Sequence, residues 1–128
     1  MVDYIGILLN KNKSLADRFE AVVKLGDIGD RASINVLVEA MLHDPSPVIR
    51  HECAFYLGNY TNRNTAPYLA LAIENDSSTF VRHEALLALA EVGNDFYIPL
   101  IEKYLRSDDL EVRETAEIAL AVLKKRFG

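Results

Sequence analysis

Two histidine–glutamate pairs are the residues of this sequence best suited to chemistry. The chain has three histidines, and two of them, His51 and His83, lie 32 residues apart, each preceded by arginine and followed by glutamate. Imidazole and carboxylate groups are both common metal ligands. The flanking sequences, VIRHECAFYLGNY and FVRHEALLALAEV, are alike, which indicates that the two pairs occupy equivalent positions of an internal repeat.

If the two pairs lie on neighbouring helices, two imidazoles and one carboxylate form the facial triad of non-haem iron sites. Such a triad leaves coordination positions open for oxygen and substrate. Zinc accepts the same ligands, and the sequence does not distinguish iron from zinc or manganese. Consecutive helical residues point about 100° apart, so one of the two glutamates is expected to be left out. Phe55 and Leu87 stand where a second histidine would complete H-E-x-x-H, which argues against a zinc protease.

A second interpretation of the pairs needs no metal. Duplication followed by drift leaves similar polar residues on a solvated helix face. Copying alone predicts four pairs, however, and the outer units read Phe19-Glu20 and Glu114-Thr115 at the same position. His43 is out of register near a predicted helix end, where we expect a solvated or capping role. The candidate site residues are therefore His51, Glu52, His83 and Glu84.

Four units with a period of about 32 residues supply the helices that position these pairs. The repeat arginines are Arg18, Arg50, Arg82 and Arg113, and the repeat aspartates are Asp44, Asp76 and Asp108. Apolar residues between them recur at helical spacing, and Ser14 and Ser46 resemble N-caps. We predict eight helices, at about residues 2–10, 15–27, 31–43, 47–59, 63–75, 79–92, 95–106 and 109–126. We expect the aspartates and arginines to form a ladder of turn-to-helix ion pairs.

These helices predict an all-α fold, an α-solenoid of four antiparallel helical hairpins. A hairpin that is apolar on two sides cannot bury itself, so successive hairpins stack on one another. We predict one domain over residues 1–128, with units at about 2–29, 30–60, 61–93 and 94–126. A repeat of this length, with aspartate in the turn and arginine in the following helix, resembles the short HEAT-like repeats.

Composition and charge limit the partners. A formal net charge of −5 lacks the electrostatic footprint of a nucleic-acid binder and favours a cationic partner. Cys53 is the single cysteine, which excludes an intramolecular disulfide and suits a reducing compartment, and we expect it to be buried. The amino terminus lacks the basic region of a secretory signal, and no apolar run reaches membrane-spanning length. We expect a cytoplasmic protein that binds neither nucleic acid nor membrane.

Beyond the pairs, several segments resemble deoxyhypusine hydroxylase, a di-iron, oxygen-dependent enzyme family. These segments are RHEALLALAEVG around His83, HECAFYLG around His51, and VDYIG, ADRFEA and EVRETAEIAL elsewhere in the chain. They resemble the amino-terminal half of that family, whose chains carry two such halves and four pairs. By position, the resemblance implies that His51, His83 and Glu84 bind one iron. It gives Glu52 a catalytic role as the carboxylate that receives the cationic amine of the substrate.

The resemblance also implies an assembly and a reaction. The two halves of the family are related by a pseudo-twofold axis, so a homodimer of this chain would bring two triads together, with two iron ions per dimer. The implied activity is oxygen-dependent hydroxylation of a lysine-derived side chain on a translation factor, a basic protein substrate. The alternative is a non-catalytic HEAT-repeat module that binds a partner protein. Phycobilin-lyase-type repeat proteins look similar as well, but histidine–glutamate pairs are not part of their general pattern.

Overall fold

The described residues form eight α-helices, which build the fold. The computed structural model describes residues 1–60 and 63–127, and these residues contain no strand. The helices are α1 (Tyr4–Leu9), α2 (Leu15–Ile28), α3 (Arg31–His43), α4 (Pro47–Leu57), α5 (Ala66–Asn75), α6 (Thr79–Val92), α7 (Ile98–Lys103) and α8 (Leu110–Phe127). Short 3₁₀ turns precede α5 and lie on both sides of α7. The predicted all-α class and all eight helices are confirmed, although residue 61, the predicted start of the third unit, lies outside the described residues.

The even-numbered helices begin at equivalent caps. A side-chain oxygen at each cap accepts a hydrogen bond from the backbone N–H three residues later, at Ser14, Ser46, Ser78 and Asp109. Each cap satisfies one of the N–H groups that the first turn of a helix leaves without a partner. Because the caps follow the repeat, residues at the same distance from a cap lie at the same height on neighbouring helices.

The helices form two layers with the core between them. Each odd-numbered helix packs against the even-numbered helix that follows it, and α2, α4, α6 and α8 pack in that order. The core side chains come from both layers, and the largest of them are Leu8, Leu37, Met41, Ile49, Leu57, Leu69, Ile73, Leu86, Leu89, Ile101 and Leu123. Cys53 is fully buried among them, as predicted. Burial raises the pKa of its thiol, which makes the group unreactive.

Close approach of α4 to α6 depends on a glycine. A Cβ atom added to Gly58 at the end of α4 would lie 2.9 Å from the Cβ atom of Ala88 in α6. One unit earlier, a Cβ atom on Gly26 would collide with the ring of Tyr56, the residue that corresponds to Ala88. The absence of a side chain at these positions therefore lets consecutive even-numbered helices pack closely, which matters for side chains that must meet between them.

The predicted ladder of arginines and aspartates connects different units. Arg50 binds Asp76, 26 residues further on, through Nε–Oδ2 and Nη2–Oδ1 contacts of 2.8 and 3.2 Å. Arg18 pairs with Asp44, also 26 residues further on, through Nη2 alone, and both side chains are buried. Within its own unit, Arg50 instead donates to the backbone carbonyl of Asp44 at 2.9 Å. The predicted turn-to-helix ion pairs are thus present for Asp44 and Asp76, and each joins the turn of one unit to the helix of the preceding unit.

The direction of these pairs has a local cause. The Asp44 carboxylate accepts a hydrogen bond from the backbone N–H of Ser46 at 2.9 Å through Oδ2, and its other oxygen then faces Arg18 of the preceding unit. The ladder ends at the third unit, where Arg82 donates to the carbonyl of Ile73 at 3.2 Å and Asp108 is exposed.

Candidate functional site

The histidine–glutamate pairs occupy matching positions on adjacent helices. His51 and Glu52 are the fifth and sixth residues of α4, and His83 and Glu84 are the fifth and sixth residues of α6. Both helices start at a serine cap, and they pack directly against each other. The structure therefore brings all four predicted site residues to one place between α4 and α6.

Both imidazoles present Nε2 to the same carboxylate oxygen. Glu84 Oε1 lies 3.4 Å from His51 Nε2 and 3.8 Å from His83 Nε2. All three side chains are partly exposed to solvent. The exposed fraction is 33% for His51, 28% for His83 and 18% for Glu84. Two imidazole nitrogens and one carboxylate oxygen thus converge at a partly covered point on the even-numbered helix layer.

Glu52 lies on the opposite side of the His51 ring. Its Oε2 atom is 3.9 Å from His51 Nδ1, and its side chain is 18% exposed. Partial burial raises the pKa of the Glu52 carboxyl, and the negative charge of Glu84 raises it further, while His51 opposes both effects. Of the two glutamates, only Glu84 lies near the Nε2 atoms of both histidines, and Glu52 lies near Nδ1 of His51.

A contact that the sequence did not predict extends the row to α8. His83 Nδ1 lies 2.7 Å from the Thr115 hydroxyl, which is buried, and 3.8 Å from Glu111 Oε1. Thr115 is 31 residues after Glu84 and occupies the corresponding repeat position. This departure from the glutamate of the two preceding units was visible in the sequence, but its contact with His83 was not.

His43 stands apart from this group. It lies at the end of α3 with 68% of its side chain exposed, and its nearest acidic partner is Glu39, one turn earlier, at 3.8 Å. Of the two predicted roles for His43, solvated or capping, the exposure of its side chain supports the solvated one. It provides a natural comparison for the two histidines of the site.

The donor types of this group, two imidazoles and a carboxylate, suit a metal ion, although their placement does not yet enclose one. As the side chains are placed in residues 1–60 and 63–127, no group of three or more His, Cys, Asp or Glu residues could hold a metal ion. Ligand atoms about 2.1 Å from one ion lie roughly 3.0–3.4 Å from each other. The 3.4 and 3.8 Å separations around Glu84 Oε1 are close to this spacing. The donors are therefore chemically suited to one ion, and side-chain movement would be needed to close them around it.

Exposed apolar side chains flank the row of polar groups. Val48 and Phe80 line a shallow recess beside His51, and they are 47% and 65% exposed. On the other side of the row, Phe55 and Ile118 border a second recess that includes Glu84, and they are 44% and 56% exposed. The candidate site thus lies within an apolar surface.

In the part of the chain that the structure describes, no helix has the length and apolar character that a bilayer span requires.

Comparisons with known proteins agree with the resemblance seen in the sequence. The chain is 34% identical over 116 residues to the deoxyhypusine hydroxylase of Drosophila melanogaster, a match that covers 90% of this chain and 38% of that protein. The structure of human deoxyhypusine hydroxylase in complex with glycerol superposes with a TM-score of 0.86 at 27% identity, over 95% of this chain and 42% of that one. The chain therefore spans about two fifths of the length of these relatives, and its similarity to deoxyhypusine hydroxylases is confirmed.

A further solved structure shares the fold, and two repeat profiles match the sequence. The complex of CpcE and CpcF of phycocyanin lyase from Nostoc sp. PCC7120 matches with a TM-score of 0.75 at 22% identity, over 95% of this chain and 52% of that chain, which establishes a common fold alone. The profile of the PBS lyase HEAT-like repeat matches residues 17–43. The profile of HEAT repeats matches residues 34–121, more than half of the chain. The chain belongs to the HEAT-repeat family.

Proposed function

We propose that this chain is a metal-binding HEAT-repeat protein of the deoxyhypusine hydroxylase type, in which His51, His83 and Glu84 hold iron. The observation that carries the proposal is the convergence of both Nε2 atoms on Glu84 Oε1. Two imidazoles and one carboxylate are the ligands that non-haem iron oxygenases use. Zinc or manganese would fit the same donors.

Each side chain has a defined part in this proposal. A bound iron would activate oxygen for insertion into an aliphatic C–H bond of a lysine-derived side chain. His51, His83 and Glu84 would fix the ion between α4 and α6, and Glu84 would offset part of its charge. The remaining carboxylate, Glu52, would receive the ammonium group of the substrate.

The electrostatics of Glu52 suit that role. Its carboxyl is partly buried and close to the like charge of Glu84, so its pKa is raised in the free protein. A substrate ammonium group beside it would stabilise the ionised form and reverse this shift. The net charge of −5 likewise favours a basic protein substrate, such as a lysine-rich loop of a translation factor.

The proposal includes a symmetric homodimer with two ions. A second copy of the chain would supply a second triad facing the first, as the second half does in the family that the sequence resembles. The apolar side chains around the row, Val48, Phe55, Phe80 and Ile118, are exposed, and a second copy seated on this face would cover them. Closed twofold pairing is the commonest arrangement of homo-oligomers.

The second candidate function is a non-catalytic module that binds a partner protein. The same exposed side chains favour it, because apolar surface of this kind also marks protein interfaces. The two functions differ in what they require of the histidines. A binding module needs no metal, so its partner would bind equally well to iron-loaded and metal-free protein.

Metal content separates the two candidates. The protein is purified aerobically, reconstituted with ferrous iron under controlled oxygen, desalted, and analysed for iron, zinc and manganese by mass spectrometry. We expect His51→Ala and His83→Ala to lose bound iron while His43→Ala, the matched control, retains it, with unchanged helicity in all three. Wild-type protein that remains metal-free after reconstitution would rule out the hydroxylase and leave the binding module.

Substrate turnover tests the role of Glu52. Iron-loaded protein is incubated with oxygen, a reductant and a translation factor that carries a deoxyhypusine side chain, and the product is analysed by mass spectrometry for one added oxygen atom. We expect Glu52→Gln to keep its iron and to lose hydroxylation. A variant that hydroxylates the factor as fast as wild type would show that Glu52 does not hold the substrate.

A further inference from the structure

Thr115 on α8 contacts His83, a proposed iron ligand, at the ring nitrogen that does not face Glu84. Its hydroxyl is 2.7 Å from His83 Nδ1, the ring nitrogen that faces away from Glu84. Thr115 is only 2% exposed, and it is held inside the contact between α6 and α8. Its position relative to the His83 ring is therefore set by helix packing and not by solvent.

The hydroxyl of Thr115 already uses its one hydrogen. It donates to the backbone carbonyl of Glu111, one turn earlier on α8, at 2.7 Å. A hydroxyl has a single hydrogen and two lone pairs. Toward His83 the Thr115 oxygen can therefore only accept, and the hydrogen in that contact must belong to Nδ1 of His83. Carboxylate oxygens lie at equal distances from the two ring nitrogens, Glu111 Oε1 at 3.8 Å from Nδ1 and Glu84 Oε1 at 3.8 Å from Nε2, so the Thr115 hydroxyl decides between them.

This arrangement decides which nitrogen of His83 can bind a metal ion. A neutral imidazole carries its hydrogen on one nitrogen and a lone pair on the other. With the hydrogen on Nδ1, the lone pair is on Nε2, which points toward Glu84 Oε1. We propose that Thr115 is a positioning residue that fixes the tautomer and orientation of His83 so that Nε2 is ready to bind the ion.

His51 has no equivalent support, which makes the two ligands unlike. Its Nδ1 atom faces Glu52 Oε2 at 3.9 Å, which is too long for a hydrogen bond. The difference follows from the sequence, because α8 carries Thr115 at the repeat position where α4 and α6 carry Glu52 and Glu84. His83 is thus the preorganised ligand, and His51 keeps the freedom to adjust as the ion enters.

The tautomer can be measured without any metal. Two-bond nitrogen–proton correlation spectra of ¹⁵N-histidine-labelled, metal-free protein, recorded in mildly alkaline solution, show which ring nitrogen carries the hydrogen. We expect His83 to be the Nδ1–H tautomer in wild type and in Thr115→Ser. We expect Thr115→Val, which keeps the volume but removes the acceptor, to lose this preference, while His51 and His43 remain unchanged. A wild-type His83 with its hydrogen on Nε2 would overturn the inference.

Metal affinity gives the second measurement, and it rests on the proposed function. Competition with a chelator yields the iron dissociation constants of wild type, Thr115→Ser and Thr115→Val. Loss of a partner behind a metal-binding histidine costs about 10- to 100-fold in affinity. We expect that loss for Thr115→Val and near-wild-type binding for Thr115→Ser. Equal affinity of all three proteins would refute the role of Thr115, whereas absence of iron from wild type would refute the proposed function and leave the tautomer result standing.

Discussion

At the scale of single residues, the site is a row in which acidic and imidazole groups alternate. Glu52, His51, Glu84 and His83 follow one another from α4 to α6, and Thr115 ends the row on α8. Each histidine lies between two oxygen-bearing groups, and each glutamate is partly covered by the helices. Partial burial raises the pKa of the Glu52 carboxyl in the free protein, and a cation bound nearby would favour its ionised form.

Replacement of Glu52 by glutamine should stabilise the metal-free protein at neutral pH. The folded-state pKa of this carboxyl is raised by partial burial and by Glu84, so folding disfavours its ionisation. The folded state then binds more protons than the unfolded state between the two pKa values, and wild-type stability falls as the pH rises through that window. We expect the free energy of unfolding of Glu52→Gln to be about 0.5 kcal/mol higher than that of wild type at neutral pH.

Urea unfolding of both proteins across a pH series measures this difference. The advantage of Glu52→Gln should disappear in acid, below the unfolded-state pKa, where the wild-type carboxyl is protonated in both states. An advantage that persists unchanged in acid would mean that packing, and not charge, causes it.

At the scale of helices, ion pairs between units fix the stacking that creates the site. Arg18 of α2 reaches Asp44 at the end of α3, and Arg50 of α4 reaches Asp76 at the end of α5. Each pair therefore links an even-numbered helix to the turn of the following unit. Gly58 complements these links, since it lets α4 approach α6 closely enough for His51 to reach Glu84.

Replacement of Asp44 by asparagine should destabilise the fold strongly. Burial by itself would raise the pKa of Asp44, but hydrogen bonds from Arg18, the Ser46 backbone and Lys11 lower it below its usual value. The carboxylate therefore stabilises the fold above its unfolded-state pKa, and this contribution is lost as the pH falls through the folded-state pKa. Asp44→Asn leaves the buried Arg18 without a counter-charge, which costs about 3 kcal/mol.

Chemical denaturation near neutral pH checks the effect of Asp44→Asn. Asp108→Asn is the matched control, because Asp108 is the exposed residue at the equivalent repeat position, and its change should stay within about 0.5 kcal/mol. If the two variants lost equal amounts of unfolding free energy, the buried Arg18–Asp44 pair would contribute no more to stability than the exposed Asp108 does.

At the scale of the whole molecule, the layer of even-numbered helices presents both the polar row and its apolar surroundings. Phe80 is the most exposed apolar side chain beside the site, and it borders the recess that includes His51. If a second copy of the chain covers this face, Phe80 lies at the interface. Self-association and metal binding then involve the same surface.

Replacement of Phe80 by aspartate should prevent dimer formation. A charge introduced into an apolar interface must be desolvated without a partner, which is strongly unfavourable. We expect wild type to behave as a dimer at micromolar concentration in light scattering and Phe80→Asp to behave as a monomer. Phe96→Asp is the control, because Phe96 is 78% exposed on the turn before α7 and should leave the dimer intact. A wild-type protein that stays monomeric with metal bound would contradict the homodimer.

The sequence by itself determined the helices, their caps and the register of the repeat. Helical spacing and capping are local properties, so Ser46 and Ser78 set the starts of α4 and α6. A constant period then placed His51 and His83 at equal distances from those caps. Adjacent positions in consecutive repeats must be neighbours in space, which is why four of the site residues could be named before their geometry was known.

Only the tertiary structure decided how these residues meet. It turned both Nε2 atoms toward Glu84, placed Glu52 behind His51, and brought Thr115 of α8 against His83. It also directed Arg18 and Arg50 to aspartates of the next unit. These contacts depend on side-chain rotamers and on the distance between stacked helices, and repeat spacing specifies neither. The residues of the candidate site thus follow from the local pattern, and its chemistry follows from the packing of one unit on another.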